Sequence, residues 1–283
     1  MNINWYPGHM SKTKKILEDN LKLVDLVIEL ADARIPMSSR NPVFESILKT
    51  KPRVLVLNKS DIADEKLSMR WQNWFITNGV DCILANSMTG TGIMPLKNRL
   101  KEYVSEEFER KKLKGLKSIK IKTMVAGIPN SGKSSFINRI SGRNSAKTGD
   151  RPGITIGKQW IRLDEGIDLL DTPGILWPKF ENEEIALNLA FTGAIKDDVF
   201  DKIEVAAKLA ERLLSLCPEK MKDRYGDFGN DAKDRYELLQ IIGKRRGFLS
   251  KGGEVDLLRT SIILLDEFRS GRIGRITLEV PPR

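Results

Sequence analysis

The sequence predicts an α/β fold with a mostly parallel sheet flanked by helices, followed by a small all-helical domain. Three observations predict it. Short β-branched, apolar runs alternate with helix-like segments up to residue 177, as in a parallel sheet with helical connections. One run leads directly into a glycine-containing loop and then a helix. Beyond residue 178 the pattern changes to amphipathic helical segments separated by glycine and proline.

The loop at 127–134 reads Gly-Ile-Pro-Asn-Ser-Gly-Lys-Ser and fits the phosphate-loop pattern G-x-x-x-x-G-K-[ST]. A predicted strand at 119–126 precedes it and a predicted helix at 135–140 follows, which is the context the motif requires. Backbone N–H groups and the helix N-terminus then form an anion site. We therefore predict that Lys133 reaches the β- and γ-phosphates and that Ser134 holds Mg²⁺. The phosphate-binding residues predicted here are Asn130, Ser131, Gly132, Lys133, Ser134 and Ser135. The alternative is a chance glycine turn before a helix.

Composition narrows the class of protein. The 283 residues include 30% charged and 40% hydrophobic side chains, which is ordinary for a globular protein of one large or two average domains. No apolar run approaches the roughly 20 residues of a membrane span, and no signal or transit pattern opens the chain. The two cysteines, Cys82 and Cys217, are far apart and fit no metal spacing. We expect a cytoplasmic protein that does not enter the membrane.

The charge is positive and unevenly distributed. The net charge is +10, and residues 97–122 contain ten basic and four acidic side chains. Residues 139–158 contain five basic side chains and one acidic side chain. Such patches favour a phosphate backbone, so we predict nucleic-acid binding. The alternative is a solvated helix face beside a nucleotide site that itself needs positive charge.

A guanine-recognition motif follows the second predicted strand. The arm at 1–22 contains Trp5-Tyr6-Pro7-Gly8-His9-Met10, and a strand at 24–31 leads to Asp32-Ala33-Arg34-Ile35-Pro36. The strand at 53–57 then runs into Asn58-Lys59-Ser60-Asp61, which fits N-K-x-D. The Asp61 carboxylate can accept hydrogen bonds from guanine N1–H and its 2-amino group, a donor pair that adenine lacks. Asn58 can bridge the base and the phosphate loop, and Lys59 can lie over the base plane.

A weaker motif follows the next predicted strand, at 82–85. Asn86 and Ser87 open a loop, 86–88, that we call the serine loop, and its backbone N–H groups can donate to guanine O6. A basic helix at about 92–112 leads from there to the phosphate-loop strand.

Two segments after the phosphate-loop helix resemble nucleotide switches. Residues 142–157 read as a loop that contains Thr155, a candidate for contact with Mg²⁺ and the γ-phosphate. Strands at 158–163 and 167–170 form a predicted hairpin, and the second ends in Asp171-Thr172-Pro173-Gly174. In a D-x-x-G motif the Asp171 carboxylate serves Mg²⁺ and the Gly174 N–H serves the γ-phosphate. Loss of that phosphate would release both segments.

The remaining chain is predicted to be helical. Helices are expected at 181–192, 202–216, 231–242 and 254–268, with breaks at Pro218, 226–229 and 243–253. The domains predicted are therefore a nucleotide-binding domain at 1–177 and a helical domain at 178–283. The loop at 244–247, Lys-Arg-Arg-Gly, is a candidate RNA contact.

The motif order is permuted, because N-K-x-D and the serine loop precede the phosphate loop instead of following the switches. With this order and the Trp5–Met10 motif, essentially the whole chain resembles the circularly permuted GTPases of the ribosome biogenesis GTPase A family (the YlqF/YawG group). The resemblance implies a bacterial enzyme that hydrolyses GTP to GDP and acts late in assembly of the large (50S) ribosomal subunit. It also implies rRNA binding and stimulation by the subunit. We expect a monomer.

Two hypotheses concern how hydrolysis is accelerated. Many GTPases place a Gln after D-x-x-G to orient water, but this chain has Ile175 there. His9, the only histidine, is a candidate to orient the water instead, and the resemblance points to the same residue. The alternative is that His9 contacts RNA or packs. Asn130 can help to hold K⁺ between the phosphates, as in potassium-activated GTPases, or it only shapes the loop. Three other functions stay open: a P-loop ATPase, which N-K-x-D disfavours, an RNA-binding scaffold that keeps GTP bound, and a GTPase acting on another RNA.

Overall fold

A computed structural model describes residues 18–40, 51–112, 120–142, 159–164, 166–171, 182–228 and 234–282. Two compact units divide these residues. One contains the sheet and also includes the end of the chain from Glu279, and the other is helical and ends at Leu278. We call them the sheet unit and the helical unit. No helix in the described ranges is long and apolar enough to cross a membrane.

The sheet has six strands in the order β3-β2-β1-β4-β6-β5. All neighbouring pairs are parallel except β5 with β6, which are antiparallel. The strands are β1 (Leu26–Asp32), β2 (Arg53–Asn58), β3 (Asp81–Leu84), β4 (Ile121–Gly127), β5 (Gln159–Asp164) and β6 (Ile167–Asp171). The predicted mostly parallel sheet is confirmed, and β5 and β6 form the predicted hairpin.

Strands β1 and β4 occupy the centre of the sheet because their side chains are apolar on both faces. All seven residues of β1 are buried, and alternate side chains enter different clusters. Leu26, Ile28 and Leu30 pack on one face, whereas Val27 joins Met124 of β4 on the other. This two-sided burial fixes the register, because a one-residue slip would exchange the faces.

Within the described ranges, three helices pack on the sheet. They are α1 (Glu65–Thr77), α2 (Ile93–Lys112) and α3 (Lys133–Ser141). Apolar residues of α2 and α3, such as Leu96 and Phe136, enter the cluster that contains Ile28. Trp71 and Phe75 of α1 pack with Leu55 and Leu57 in a separate cluster, and their two rings are stacked.

The helical unit contains α4 (Glu183–Phe191), α5 (Lys202–Leu216), α6 (Pro218–Tyr225), α7 (Arg235–Arg245) and α8 (Leu257–Arg269). Asp201, Asp234 and Asp256 cap three of these helices through their side chains, which accept backbone N–H groups of the first turn. The predicted break at Pro218 is confirmed, because α5 ends at Leu216. Helix α6, which was not predicted, begins at this proline, because proline is tolerated at the first helical position where no N–H is required. The predicted break at Gly243 was wrong. Gly243 lies inside α7, where a Cβ atom would come within 2.5 Å of Val255 and Thr260 side-chain atoms.

Candidate guanine-nucleotide site

The predicted site residues that the structure describes lie at the ends of parallel strands, so the fold brings them to one edge of the sheet. The N-K-x-D motif follows β2, the serine loop follows β3, and the phosphate loop follows β4. Asp32 and Asp171 are the last residues of β1 and β6. Ligands of open parallel sheets bind at this carboxyl edge. The permuted chain order therefore produces a single site.

Two positions of the phosphate loop require glycine, because atoms of neighbouring residues lie too close for a Cβ atom. A Cβ atom at Gly127 would lie 2.4 Å from the Leu30 carbonyl oxygen of the neighbouring strand. Gly132 has a φ of 89°, and a Cβ atom there would lie 2.5 Å from Asn58 Nδ2. The sequence signal for these positions is thus explained by backbone packing as well as by phosphate binding.

Lys133 is buried at the start of α3, and its Nζ donates to the Ile128 carbonyl oxygen at 2.6 Å. Burial lowers the pKa of Lys133 to about 7; the Asp171 carboxylate opposes this shift and the Lys59 charge adds to it. Burial destabilises the charged form of Lys133, so an anion bound beside it would stabilise that form. Ser131, which is also buried, donates its hydroxyl to the same Ile128 oxygen at 2.9 Å.

Asn58 joins the phosphate loop to the serine loop. Its Nδ2 donates to the Ser131 carbonyl oxygen at 2.9 Å. Its Oδ1 accepts from the Ser87 backbone N at 3.1 Å and from the Ser87 hydroxyl at 2.7 Å. Asn58 is buried, so these bonds are shielded from water. Asn58 therefore links the phosphate loop to the serine loop, and its predicted contact with the base stays a prediction.

Lys59 adds a second link between the same motifs. Its backbone is left-handed, with a φ of 60°, and its Nζ donates to the Asn130 carbonyl oxygen at 2.6 Å. Asn130 also has a positive φ, 57°. Lys59 Nζ lies 3.1 Å from Asp32 Oδ2 as well, so β1, β2 and the phosphate loop share one ammonium group. Positive φ values at non-glycine residues mark backbone that its surroundings hold in place.

The Asp32–Arg34 ion pair was not predicted, because no pattern in the sequence indicates that these two side chains bind each other. Both side chains are buried, and Arg34 donates from Nε to Oδ1 at 2.9 Å and from Nη2 to Oδ2 at 2.7 Å. Burial opposes ionisation of Asp32, but the charges of Arg34 and Lys59 hold the pKa of that carboxyl well below its usual range. The pair therefore supplies a fixed anion that anchors Lys59.

Asp61 is exposed, and no protein group in the described ranges binds its carboxylate. Its position at the carboxyl edge is compatible with acceptance of the two guanine donors. Ser60 is different, because its hydroxyl and its backbone N both donate to the Ala85 carbonyl oxygen, at 3.0 and 3.1 Å. Its predicted contact with the nucleotide stays a prediction.

The serine loop is held from several directions. Asn86 Oδ1 accepts from the backbone N of Met88 at 2.7 Å and of Thr89 at 3.2 Å. Arg139 of α3 donates from Nε to the Ser87 carbonyl oxygen at 3.0 Å, and its Nη2 donates to the Met88 carbonyl oxygen. No pattern in the sequence indicates this contact of Arg139, which lies 52 residues from Ser87 in the chain.

The oxygen donors present fit Mg²⁺. Ser134 lies half-buried at the start of α3, and Asp171 is a buried carboxylate at the end of the strand next to β4. A hydroxyl and a carboxylate, with phosphates completing the shell, are the ligands that Mg²⁺ prefers. Within the described ranges there is no group of three or more His, Cys, Asp or Glu residues that would form a metal cage of its own. His9, Thr155 and Gly174 lie outside the described residues.

The fold and the site define a P-loop GTPase whose motifs occur in permuted order. Comparisons with known proteins agree. A family model described as a 50S ribosome-binding GTPase matches residues 122–223. The ribosome biogenesis GTPase A of Bacillus pumilus is 46% identical over 281 residues, which cover 99% of each chain. That of Thermotoga maritima is 31% identical over 281 residues, which cover 99% of this chain and 95% of the relative.

Solved structures show the same fold. GNP-bound YlqF from T. maritima matches with a TM-score of 0.71 at 26% identity, over 95% of this chain and 98% of that one. A GDP-bound structure of YlqF matches with a TM-score of 0.70, over 94% of this chain and 99% of that one. The chain belongs to the ribosome biogenesis GTPase A family, and it is a GTPase.

Proposed function

We propose that this GTPase is an assembly factor for the large (50S) ribosomal subunit, which it binds through rRNA and leaves after GTP hydrolysis. The observation that carries the proposal is the full-length likeness to relatives named ribosome biogenesis GTPase A. The matching family model, described as a 50S ribosome-binding GTPase, and the net charge of +10 support it.

The nucleotide would be held by the residues that meet at the carboxyl edge of the sheet. Asp61 reads the guanine, Lys59 and Asn58 tie the base motif to the phosphate loop, and Lys133 neutralises the phosphates. Ser134, Thr155 and Asp171 would hold Mg²⁺, which shields the phosphate charge when it is bound. Gly174 would sense the γ-phosphate, so hydrolysis would release the switch segments.

Two residues are proposed to accelerate hydrolysis. His9 would orient the attacking water in place of the Gln that the D-x-x-G motif lacks. Asn130 would help to place K⁺ at the phosphates, where a cation stabilises developing charge. Both roles go beyond GTP binding, so each should affect turnover more than affinity.

The helical unit is proposed to contact RNA, but not through every residue of the basic segment at 244–247. Its first two residues lie in the last turn of α7, so the predicted loop begins two residues later than expected. Arg245 donates to the Tyr225 and Asp227 carbonyl oxygens, at 3.2 and 2.6 Å, and Arg246 pairs with the buried Glu267. Lys244 is exposed and makes no ion pair with any residue the structure describes. It is therefore the side chain of this segment best placed to meet a phosphate.

The test is GTP turnover with purified 50S subunits, with 30S subunits as the matched control. We expect 50S subunits, and not 30S subunits, to stimulate turnover strongly. The stimulation should be larger in KCl than in NaCl. The variant His9→Ala should retain its affinity for GTP and lose the stimulation. Tight GTP binding without stimulated turnover would favour the scaffold alternative. Stimulation by another RNA, such as tRNA, and not by the subunit would contradict the ribosomal role. Equal rates in KCl and NaCl would contradict the K⁺ site alone.

A further inference from the structure

We propose that Arg139 is a positioning residue for guanine recognition, because it holds the serine loop from the phosphate-loop helix. Its guanidinium donates to two consecutive carbonyl oxygens, those of Ser87 and Met88. Among the described residues no other group donates to these two oxygens. The inference rests on the proposed role of the serine loop in binding guanine O6.

The position of Arg139 in the helix explains how it connects the two halves of the site. Helix α3 begins with Lys133 at the phosphate loop, and Arg139 lies six residues later, about 9 Å along the axis. The same rigid element therefore presents the phosphate-binding lysine at one end and the serine-loop anchor near the other. The helix thus connects the phosphate loop to the serine loop, with the Arg139 side chain making the final contact.

Arg139 and Asn58 hold complementary groups of the serine loop. Asn58 accepts from the Ser87 N–H and hydroxyl, whereas Arg139 donates to the carbonyls. The next residue, Met88, has a side chain that is 72% exposed and contributes no buried packing. The loop is thus positioned by polar contacts, and removal of the Arg139 fork frees the side of the loop that packing does not restrain.

The consequence for specificity follows from the chemistry at purine position 6. Guanine has an oxygen acceptor there and adenine has an amino donor, so N–H donors of a positioned loop favour guanine. The Met88 and Thr89 N–H groups donate to Asn86 Oδ1, and O6 would join one of them as a second acceptor. Such a shared bond needs accurate placement, because hydrogen bonds weaken steeply with misalignment.

The test compares two nucleotides that differ only at position 6, GDP and 6-thio-GDP, whose sulfur is a weak acceptor. Dissociation constants are measured for the wild type and for Arg139→Ala. We expect Arg139→Ala to lower the affinity for GDP about tenfold, which corresponds to the loss of roughly one hydrogen bond. The affinity for 6-thio-GDP should fall less than about twofold, because that nucleotide has little bond to lose.

Two further variants separate positioning from charge. Arg139→Lys keeps the charge but lacks the fork that serves two carbonyls, so it should recover GDP affinity only in part. Arg70→Ala removes an exposed arginine of α1 and should change neither affinity. Thermal unfolding without nucleotide should be the same for all variants, since Arg139 is itself exposed.

Three outcomes would overturn the inference. Equal losses for GDP and 6-thio-GDP would mean that Arg139 only supports the fold, and full recovery by Arg139→Lys would mean that only its charge matters. A wild type that binds both nucleotides equally would show that the serine loop does not read O6. None of these results bears on ribosomal stimulation, so a failure of the proposed function would be seen separately in the turnover assay.

Discussion

Lys133 is the residue whose environment most clearly prepares it for a ligand. It is a buried cation whose nearest hydrogen-bond partner is a carbonyl of its own loop, and its pKa is lowered to about 7 by burial. Phosphates would restore its charge, so nucleotide binding must be accompanied by proton uptake wherever the free lysine is neutral.

This coupling makes the affinity for GDP depend on pH. Because the folded pKa is depressed, Lys133 is charged below pH 7 and loses its proton as the pH rises above it. We expect GDP affinity in EDTA to fall above pH 7, by at most about tenfold per pH unit. Lys133→Arg keeps its charge throughout, so its profile should report only the titration of the nucleotide. Identical profiles for both proteins would contradict the lowered pKa.

Asp61 allows a test of the base-recognition motif. Its exposed carboxylate accepts, in the proposal, from two guanine donors. In xanthine an oxygen replaces the 2-amino group of guanine. The side-chain amide of an asparagine can donate a hydrogen bond to that oxygen, whereas a carboxylate cannot. We expect Asp61→Asn to weaken the affinity for GDP by about 100-fold or more and to raise the affinity for xanthosine diphosphate (XDP). The measurement is the ratio of the two dissociation constants. If that ratio stays unchanged, Asp61 does not contact the base.

Among the helices, α7 ends in a basic segment, 244–247, whose side chains have different roles. Arg245 and Arg246 are used inside the helical unit, and the Arg245 guanidinium also lies 5.0 Å from the centre of the Phe228 ring. We therefore expect Arg245→Ala to lower the unfolding temperature of the protein.

Lys244 should behave in the opposite way and change RNA binding without a loss of stability. We expect Lys244→Glu to reduce the slope of log K against log salt by about one, since it removes a phosphate contact. Lys66→Glu, on an exposed position of α1, gives the same change of net charge and is the matched control. Equal slopes for the two variants would place the RNA contact elsewhere.

At the scale of the whole molecule, the end of the chain is part of the sheet unit. The Glu279 carboxylate accepts from the Met37 N at 2.7 Å and the Ser38 N at 3.0 Å, and the Ser38 hydroxyl donates to it as well. Its carbonyl oxygen accepts from Trp71 Nε1 at 3.0 Å. Residues 37 and 38 belong to the turn that follows Asp32, so the chain end braces the loop that carries the Asp32–Arg34 pair.

Removal of that brace should destabilise the sheet unit. Glu279→Ala leaves the amides of Met37 and Ser38 without their acceptor, at a cost of about 2 kcal/mol. For a unit of this size we expect the unfolding temperature to fall by roughly 4–8 °C in a calorimetric scan. Glu254→Ala, an exposed position of the helical unit, is the control and should unfold like the wild type. A loss no larger than the control's would show that the chain end contributes nothing to this unit.

Local sequence patterns were sufficient to predict the strands, most helices and the nucleotide motifs. β1, β2 and β4 are recognisable because they are apolar on both faces, and α5 has the predicted bounds. Helix α6 and the last residues of α7 were not predicted, because Pro218 and Gly243 were each interpreted only as helix breakers. A proline at the first helical position and a buried glycine at a close helix contact are both compatible with a helix.

The class of site can be predicted from local sequence, because each nucleotide motif is a short run whose backbone and side chains act together. The contacts that join the motifs are visible only in the folded chain. The Asn58 bridge, the Lys59–Asp32–Arg34 anchor, the Arg139 fork and the Glu279 brace each connect residues that are remote in the chain or whose pairing has no periodic signature. Such contacts depend on which strand ends are neighbours, and that order is fixed by burial of the whole sheet.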